Sequence, residues 1–205
     1  MDELIVSKEK QDLFLKKLRE RTGASHTGLE DNIFSKAILS PTVNLADYQI
    51  YIAKLYGIMR SCEVDIFPKT VSVLPDLNER YKSDLIVKDL IGTGIPKEKI
   101  VTFPIHKFSA STTAEALGIM YVLEGSTLGG KILYKHINQE LGLSYENGAS
   151  YFWGYGQKTG ILWKNFISTL AGYAVEENCE EEIIATAIQT FTTIDKWLNE
   201  AEIKL

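Results

Sequence analysis

The chain of 205 residues reads as an all-α, multi-helix bundle forming one domain over residues 1–205. Two observations carry this reading. Apolar residues recur at three- and four-residue steps through most of the chain, and only one short stretch resembles a strand. The composition, 45% hydrophobic and 24% charged, is ordinary for a globular protein, and the length suits a single hydrophobic core.

Leu13, Phe14, Leu18, Leu29, Ile33, Phe34 and Ile38 define one long amphipathic helix from Lys8 to about Leu39, with a weak middle at Thr22-Gly23-Ala24-Ser25. It ends before Pro41. Asn44 is placed as an N-cap with Asp47 at the third helical position, and Leu45, Tyr48, Ile52, Leu55, Ile58 and Met59 continue that second helix to about Cys62. Beyond Pro68 and Pro75, short helical pieces fit Asp76 to Lys82 and Ser83 to Leu90, closed by Gly92, Gly94 and Pro96. Ile100 to Lys107 is the strand-like stretch, and it has no clear partner. Ser111 or Thr112 caps the next helix, with Glu115 in its first turn; Leu117, Met120, Tyr121, Leu123, Ile132, Leu133 and Ile137 carry it to about Leu141, interrupted by Gly125, Gly129 and Gly130. A loop rich in Tyr, Gly and Trp (Ser144 to Lys158) precedes two final helices, Thr159 to Glu177 and about Glu180 to Ala201.

A net charge of -5, with no dense Lys/Arg stripe, argues against nucleic acid as a partner. Cys62 and Cys179 lie far apart, and the charged start MDELIVSKEKQDLF is unlike a signal peptide, so a reducing cytoplasm is expected. No apolar run approaches the roughly 20 residues that cross a bilayer, so no membrane association is expected. The run Glu176-Glu177 and Glu180-Glu181-Glu182 reads as a solvated helix start favoured by the helix dipole.

YVLEGSTLGGKIL, residues 121 to 133, is the most informative segment. Each glycine inside a helix costs about 1 kcal/mol relative to alanine, and three of them here require compensation. Either the bare backbone approaches a large flat ligand, or it packs tightly against another helix. A second segment, LRERTGASHTGLE at residues 18 to 30, places His26 on the first long helix, with Arg19 seven residues before it and Glu30 four residues after it. That spacing puts Glu30 on the histidine's face, one turn on. His106, in the probable loop TFPIHKF, and His136, after the glycines, have no such setting.

Taken together, these segments resemble the heme oxygenases, whose heme lies between an N-terminal proximal helix and a glycine-rich distal helix; the resemblance extends to the branch found alongside bacterial phytochromes. It implies a heme-oxygenase-like bundle in which heme is both cofactor and substrate, opened oxidatively by molecular oxygen to biliverdin, carbon monoxide and ferrous iron. Electrons would come from an external reductant, a ferredoxin or reductase, and a bacterial phytochrome would be a recipient of biliverdin. It further implies His26 as the iron ligand, Glu30 as acceptor for its second ring nitrogen, and Arg19 as a propionate contact, with Tyr155 and Lys164 as further ones. Gly125, Gly129 and Gly130 would allow close approach to the heme face. The family's distal aspartate falls at Ser126, a hydroxyl without charge, so that the catalytic distal surface would be Gly125, Ser126 and Gly129.

Two rival readings stand beside this one. A non-catalytic heme-binding or heme-sensing protein on the same fold would hold heme and not cleave it. A diiron protein of the wider superfamily would need Glu-x-x-His spacing, and no glutamate here has a histidine three residues on. Tyr151, Phe152, Trp153, Tyr155 and Trp163 fit a pocket edge and ordinary core equally well.

Overall fold

The computed structural model describes residues 2–205, with side chains from Ser7 onward. Among the described residues there are helices and no strands. The first is α1 (Asp2–Glu30), a continuous helix through the expected weak middle. Within it the buried Thr22 hydroxyl donates to the Leu18 carbonyl at 2.8 Å, so that its polar group is satisfied inside the helix. The break comes at Asn32 instead. Its side-chain oxygen accepts from the Phe34 amide, starting α2 (Ile33–Ile38), while its Nδ2 donates to Asp195 Oδ1 at 2.7 Å. One long helix to Leu39 is thereby corrected to two, because a capping residue with a tertiary partner outcompetes helix continuation.

Asn44 and Asp47 form the expected capping box of α3 (Leu45–Ser61). A π-helical turn, Cys62–Ile66, then turns the chain, and of the piece expected from Asp76 to Lys82 only a 3₁₀ turn at Leu77–Glu79 forms. After α4 (Ser83–Gly92), the strand-like stretch is not a strand: α5 (Lys97–Ile100) begins before it and an irregular segment follows. In a bundle no neighbouring strand exists to receive its backbone groups. Thr112 caps α6 (Thr113–Leu141), which is not interrupted by its glycines and ends on Gly142 in the left-handed conformation. The Tyr/Gly/Trp loop contains α7 (Ser150–Trp153), and α8 (Thr159–Glu176) and α9 (Glu180–Glu200) close the chain.

Buried side chains of α1, α3, α6, α8 and α9, among them Leu18, Ile52, Leu117, Phe166 and Ile184, belong to one core cluster. Both α1 and α6 pack on α8 and α9, but they make no extensive contact with each other. The α6–α9 contact is close: a Cβ on Gly118 would lie 2.8 Å from the Ile183 carbonyl oxygen and 2.8 Å from Thr186 Cβ. This glycine answers to helix packing.

Two short helices are started by carboxylates from elsewhere in the chain. Glu63 Oε1 accepts from the amides of Lys82 (2.6 Å) and Ser83 (2.7 Å) at the start of α4, which has no side-chain cap of its own. Asp89 of α4 accepts from the Ser150 amide, the Ser150 hydroxyl and the Tyr151 amide, each at 2.7 Å, at the start of α7. Burial nevertheless pushes the Asp89 carboxyl above its ordinary range, those hydrogen bonds acting in the opposite direction.

Gly118→Ala is expected to lower stability by about 1–3 kcal/mol through overpacking at α9, despite a gain of about 1 kcal/mol in helix propensity. Denaturant unfolding of the two proteins measures this difference.

Candidate functional site

The space between α1 and α6 is a cavity of about 800 Å³, within the range of roughly 300–1,000 Å³ typical of small-molecule and cofactor sites. From α1 it is lined by Arg19, Thr22, Gly23 and His26, and from α6 by Gly125, Ser126, Leu128, Gly129 and Ile132. Leu128 and Ile132 are 46% and 68% exposed. Apolar side chains on a concave wall favour an apolar occupant that removes them from water.

The α6 glycines divide into two kinds. A Cβ on Gly130 would lie 2.9 Å from the Phe152 carbonyl oxygen, so this glycine lets α7 approach. A Cβ on Gly129 would meet nothing within 4 Å, and the same holds for Gly23 on α1. Both of these line the cavity. The space that a side chain would fill is left open on each helix.

His26 is the cavity's histidine. Its Nδ1 faces Glu30 Oε2 at 3.4 Å, with side chains 57% and 68% exposed, and its ring meets Phe191 edge-on at 5.5 Å between centroids. Glu30 is thus the carboxylate nearest Nδ1, and Nε2 is the nitrogen turned away from it. The other two histidines are structural. His136 Nε2 contacts the Ser40 carbonyl at 3.0 Å, and His106 packs edge-on against Phe108 and Trp197, where burial lowers its pKa.

Beneath the glycine segment lies a polar cluster almost without access to water. Glu124 has a side chain 3% exposed, and it pairs with Arg80 through Oε2 and with Lys82 Nζ through Oε1 at 2.8 Å. The Tyr155 hydroxyl is 2.8 Å from Glu124 Oε1, and it accepts from Lys82 Nζ at 2.6 Å. Arg80 also makes a bidentate pair with Asp76, at 2.9 and 2.8 Å, and donates to the Leu162 carbonyl. Burial alone would lower the Arg80 guanidinium; Asp76 and Glu124 more than offset that and hold it above its ordinary value. Burial, and then the Glu124 charge, push the Tyr155 phenol far above its usual range, so it remains protonated.

The heme oxygenase family model matches residues 12–200. The chain belongs to the heme oxygenase family. It is 29% identical over 186 residues to heme oxygenase PigA of Pseudomonas aeruginosa, covering 90% of each chain. Its fold is similar to heme oxygenase from Leptospira interrogans (TM-score 0.75, 18% identity, 91% of this chain and 98% of that one). It is likewise similar to the NO- and CO-bound heme oxygenase of Neisseria meningitidis (0.70, 23%, 91% and 90%). A third likeness is to heme oxygenase-1 of the cyanobacterium Synechocystis in complex with heme (0.72, 18%, 91% of each).

Of the residues singled out in the sequence for a heme oxygenase site, Arg19, His26, Glu30, Gly125, Ser126, Gly129 and Gly130 all line the cavity. Lys164 and Tyr155 do not. Lys164 is an exposed residue of α8, and Tyr155 is turned into the buried cluster by Glu124 and Lys82. Ser126 lines the wall, but its hydroxyl donates to the Leu123 carbonyl at 2.7 Å, as Thr127 does to the Glu124 carbonyl at 2.6 Å. Lining residues that the sequence did not single out include Lys82, Tyr51 and Phe191. Phe191 belongs to the apolar stripe of α9, and nothing in the RYK tripeptide of residues 80 to 82 distinguishes a buried cation from a surface one.

Two outcomes follow for the ligand-free protein. Glu124→Ala is expected to cost about 3–5 kcal/mol in denaturant unfolding, because Arg80 and Lys82 lose their shared counter-charge in the interior. Gly129→Ala should stabilise by about 0.5–1 kcal/mol through helix propensity, whereas Gly130→Ala should destabilise by about 1–3 kcal/mol; a melting comparison distinguishes packing glycine from cavity glycine.

Proposed function

We propose that this chain binds heme in the cavity between α1 and α6 and opens the macrocycle oxidatively, using molecular oxygen and electrons from an external donor such as a ferredoxin or reductase. The products of this reading are biliverdin, carbon monoxide and ferrous iron. The observation that carries it is the setting of His26 in a member of this family: the cavity's one imidazole stands on one helix, 3.4 Å from Glu30, while bare glycine backbone lines the other.

The residues present fit a flat, apolar, anionic macrocycle. The positions a Cβ would fill at Gly23 and Gly129 are open, and Leu128, Ile132, Phe191 and Trp163 give an apolar lining. Bound heme supplies both the oxygen-activating iron and the ring that is cleaved. His26 would hold the iron through Nε2. Glu30, 3.4 Å from Nδ1, would favour the tautomer that carries its proton there. Arg19, exposed at the rim two turns before His26, offers a planar guanidinium to a propionate. Gly125 and Gly129 present backbone in place of side chains and Ser126 adds only a small hydroxyl turned to its own helix, so that an occupant would lie close to α6. No helix among the described residues is long and apolar enough to cross a membrane, and we place the reaction in the cytoplasm.

Purified protein titrated with hemin should develop a Soret band, and ascorbate or a reductase system in air should replace that band with the broad red absorption of biliverdin. His26→Ala should lose both the histidine-ligated spectrum and product formation. Arg19→Ala should weaken hemin binding about fivefold, the equivalent of about 1 kcal/mol for an exposed charge-assisted contact. A Soret band that depends on His26 yet survives reductant and oxygen would instead mark a heme carrier or sensor.

A further inference from the structure

We infer that Lys82 is the hydrogen-bond donor and fixed positive charge that the cavity presents toward its occupant from the α4 side, a task for which the Ser126 and Thr127 hydroxyls are already engaged. The inference rests on the heme reading above. Lys82 is 2% exposed and lines the cavity. A lysine buried to that degree is retained at a high desolvation cost unless every part of it is held. Its backbone amide donates to Glu63, and its ammonium donates to Glu124 Oε1 at 2.8 Å and to the Tyr155 hydroxyl at 2.6 Å. An ammonium has three N–H donors, and among the described residues the hydrogen bonds of this one account for two.

The neighbours of Lys82 are already committed. Arg80 spends its donors on Asp76, Glu124 and the Leu162 carbonyl, and both oxygens of Glu124 are taken by Arg80, Lys82 and Tyr155. Ser126 and Thr127 donate to carbonyls of their own helix. Formal charges balance within the cluster: Asp76 and Glu124 against Arg80 and Lys82. Arg80, Asp76 and Glu124 do not line the cavity, whereas Lys82 does. Lys82 is thus the one cationic residue of the cluster that lines the cavity, and Glu124 and Tyr155 hold its ammonium. Such a group acts on an oxygen-containing ligand or an ordered water without reorganising, which is the condition under which an electrostatic contact is strongest.

The test compares wild-type protein with Lys82→Met and Tyr155→Phe, each reconstituted with hemin. Three readouts besides turnover are recorded: the hemin affinity, the pH midpoint of the ferric absorption spectrum, and the C–O stretching frequency of the ferrous carbon monoxide complex. Lys82→Met should bind hemin within about threefold of wild type, since no propionate contact is removed. Its ferric pH midpoint should rise by about one unit, because a nearby cation favours the deprotonated form of a distal water. The C–O stretch should move to higher frequency, and Tyr155→Phe, which loosens the ammonium by one bond, should move both signals the same way by less. Should Lys82→Met fail to fold, Tyr155→Phe alone reports the effect. An unchanged midpoint and C–O stretch in every variant that binds hemin would overturn the role of Lys82. Failure of wild-type protein to bind hemin would overturn the heme reading itself, a separate outcome.

Discussion

The carboxylate of Glu124 sits where α6 changes character, and the bundle is arranged around the need to neutralise it. Before Glu124 the helix is core: Ala114, Ala116, Leu117, Gly118, Ile119, Met120, Val122 and Leu123 are buried. After it, Gly125, Ser126, Leu128 and Gly129 turn to the cavity. A bare carboxylate at that depth would be far too costly, so Arg80, Lys82 and Tyr155 are drawn onto it from two different connecting segments. One ion-pair cluster therefore does two things: it fixes the poorly helical stretches before α4 and after α7, and it anchors α6 one residue before the glycines that line the cavity.

The same device recurs along the chain. Glu63 starts α4, Asp89 of α4 starts α7, and α7 places its Phe152 carbonyl against Gly130. These contacts link the turn after α3 to the wall of the cavity through oriented peptide dipoles and buried carboxylates, where short helices of 10 and 4 residues would have little stability alone. The cavity is thus framed by hydrogen-bonded partners on the α4 and α7 side, whereas the His26 side is open: His26, Arg19, Gly23 and Glu30 are all exposed on α1.

Much of the bundle was legible because helix periodicity is a local property. The Asn44–Asp47 capping box, the Thr112 cap and the ends of α6, α8 and α9 fall where side-chain spacing places them. The errors share a cause. The break at Asn32 depends on Asp195, more than 160 residues away in the chain, and the continuity of α6 through its glycines depends on neighbours that take up the cost. The stretch from Ile100 to Lys107 has strand-like residues, but strand formation needs a partner that a helical bundle lacks.

For the site, the sequence by itself determined the histidine, its (i, i+4) glutamate, the arginine two turns earlier and the glycine wall, because each belongs to one helix whose geometry sets their relative positions. It did not separate Gly129 from Gly130, or Ser126 as a lining residue from Ser126 as a free donor, since those depend on what faces each atom across the fold. Tyr155, expected as a propionate contact, is a buried support for the same reason, and Lys82, which the sequence did not single out, lines the cavity. Burial of a charge is decided by elements remote in sequence, and only the packing of α4, α6 and the Tyr/Gly/Trp segment brings Arg80, Lys82, Glu124 and Tyr155 within hydrogen-bonding reach.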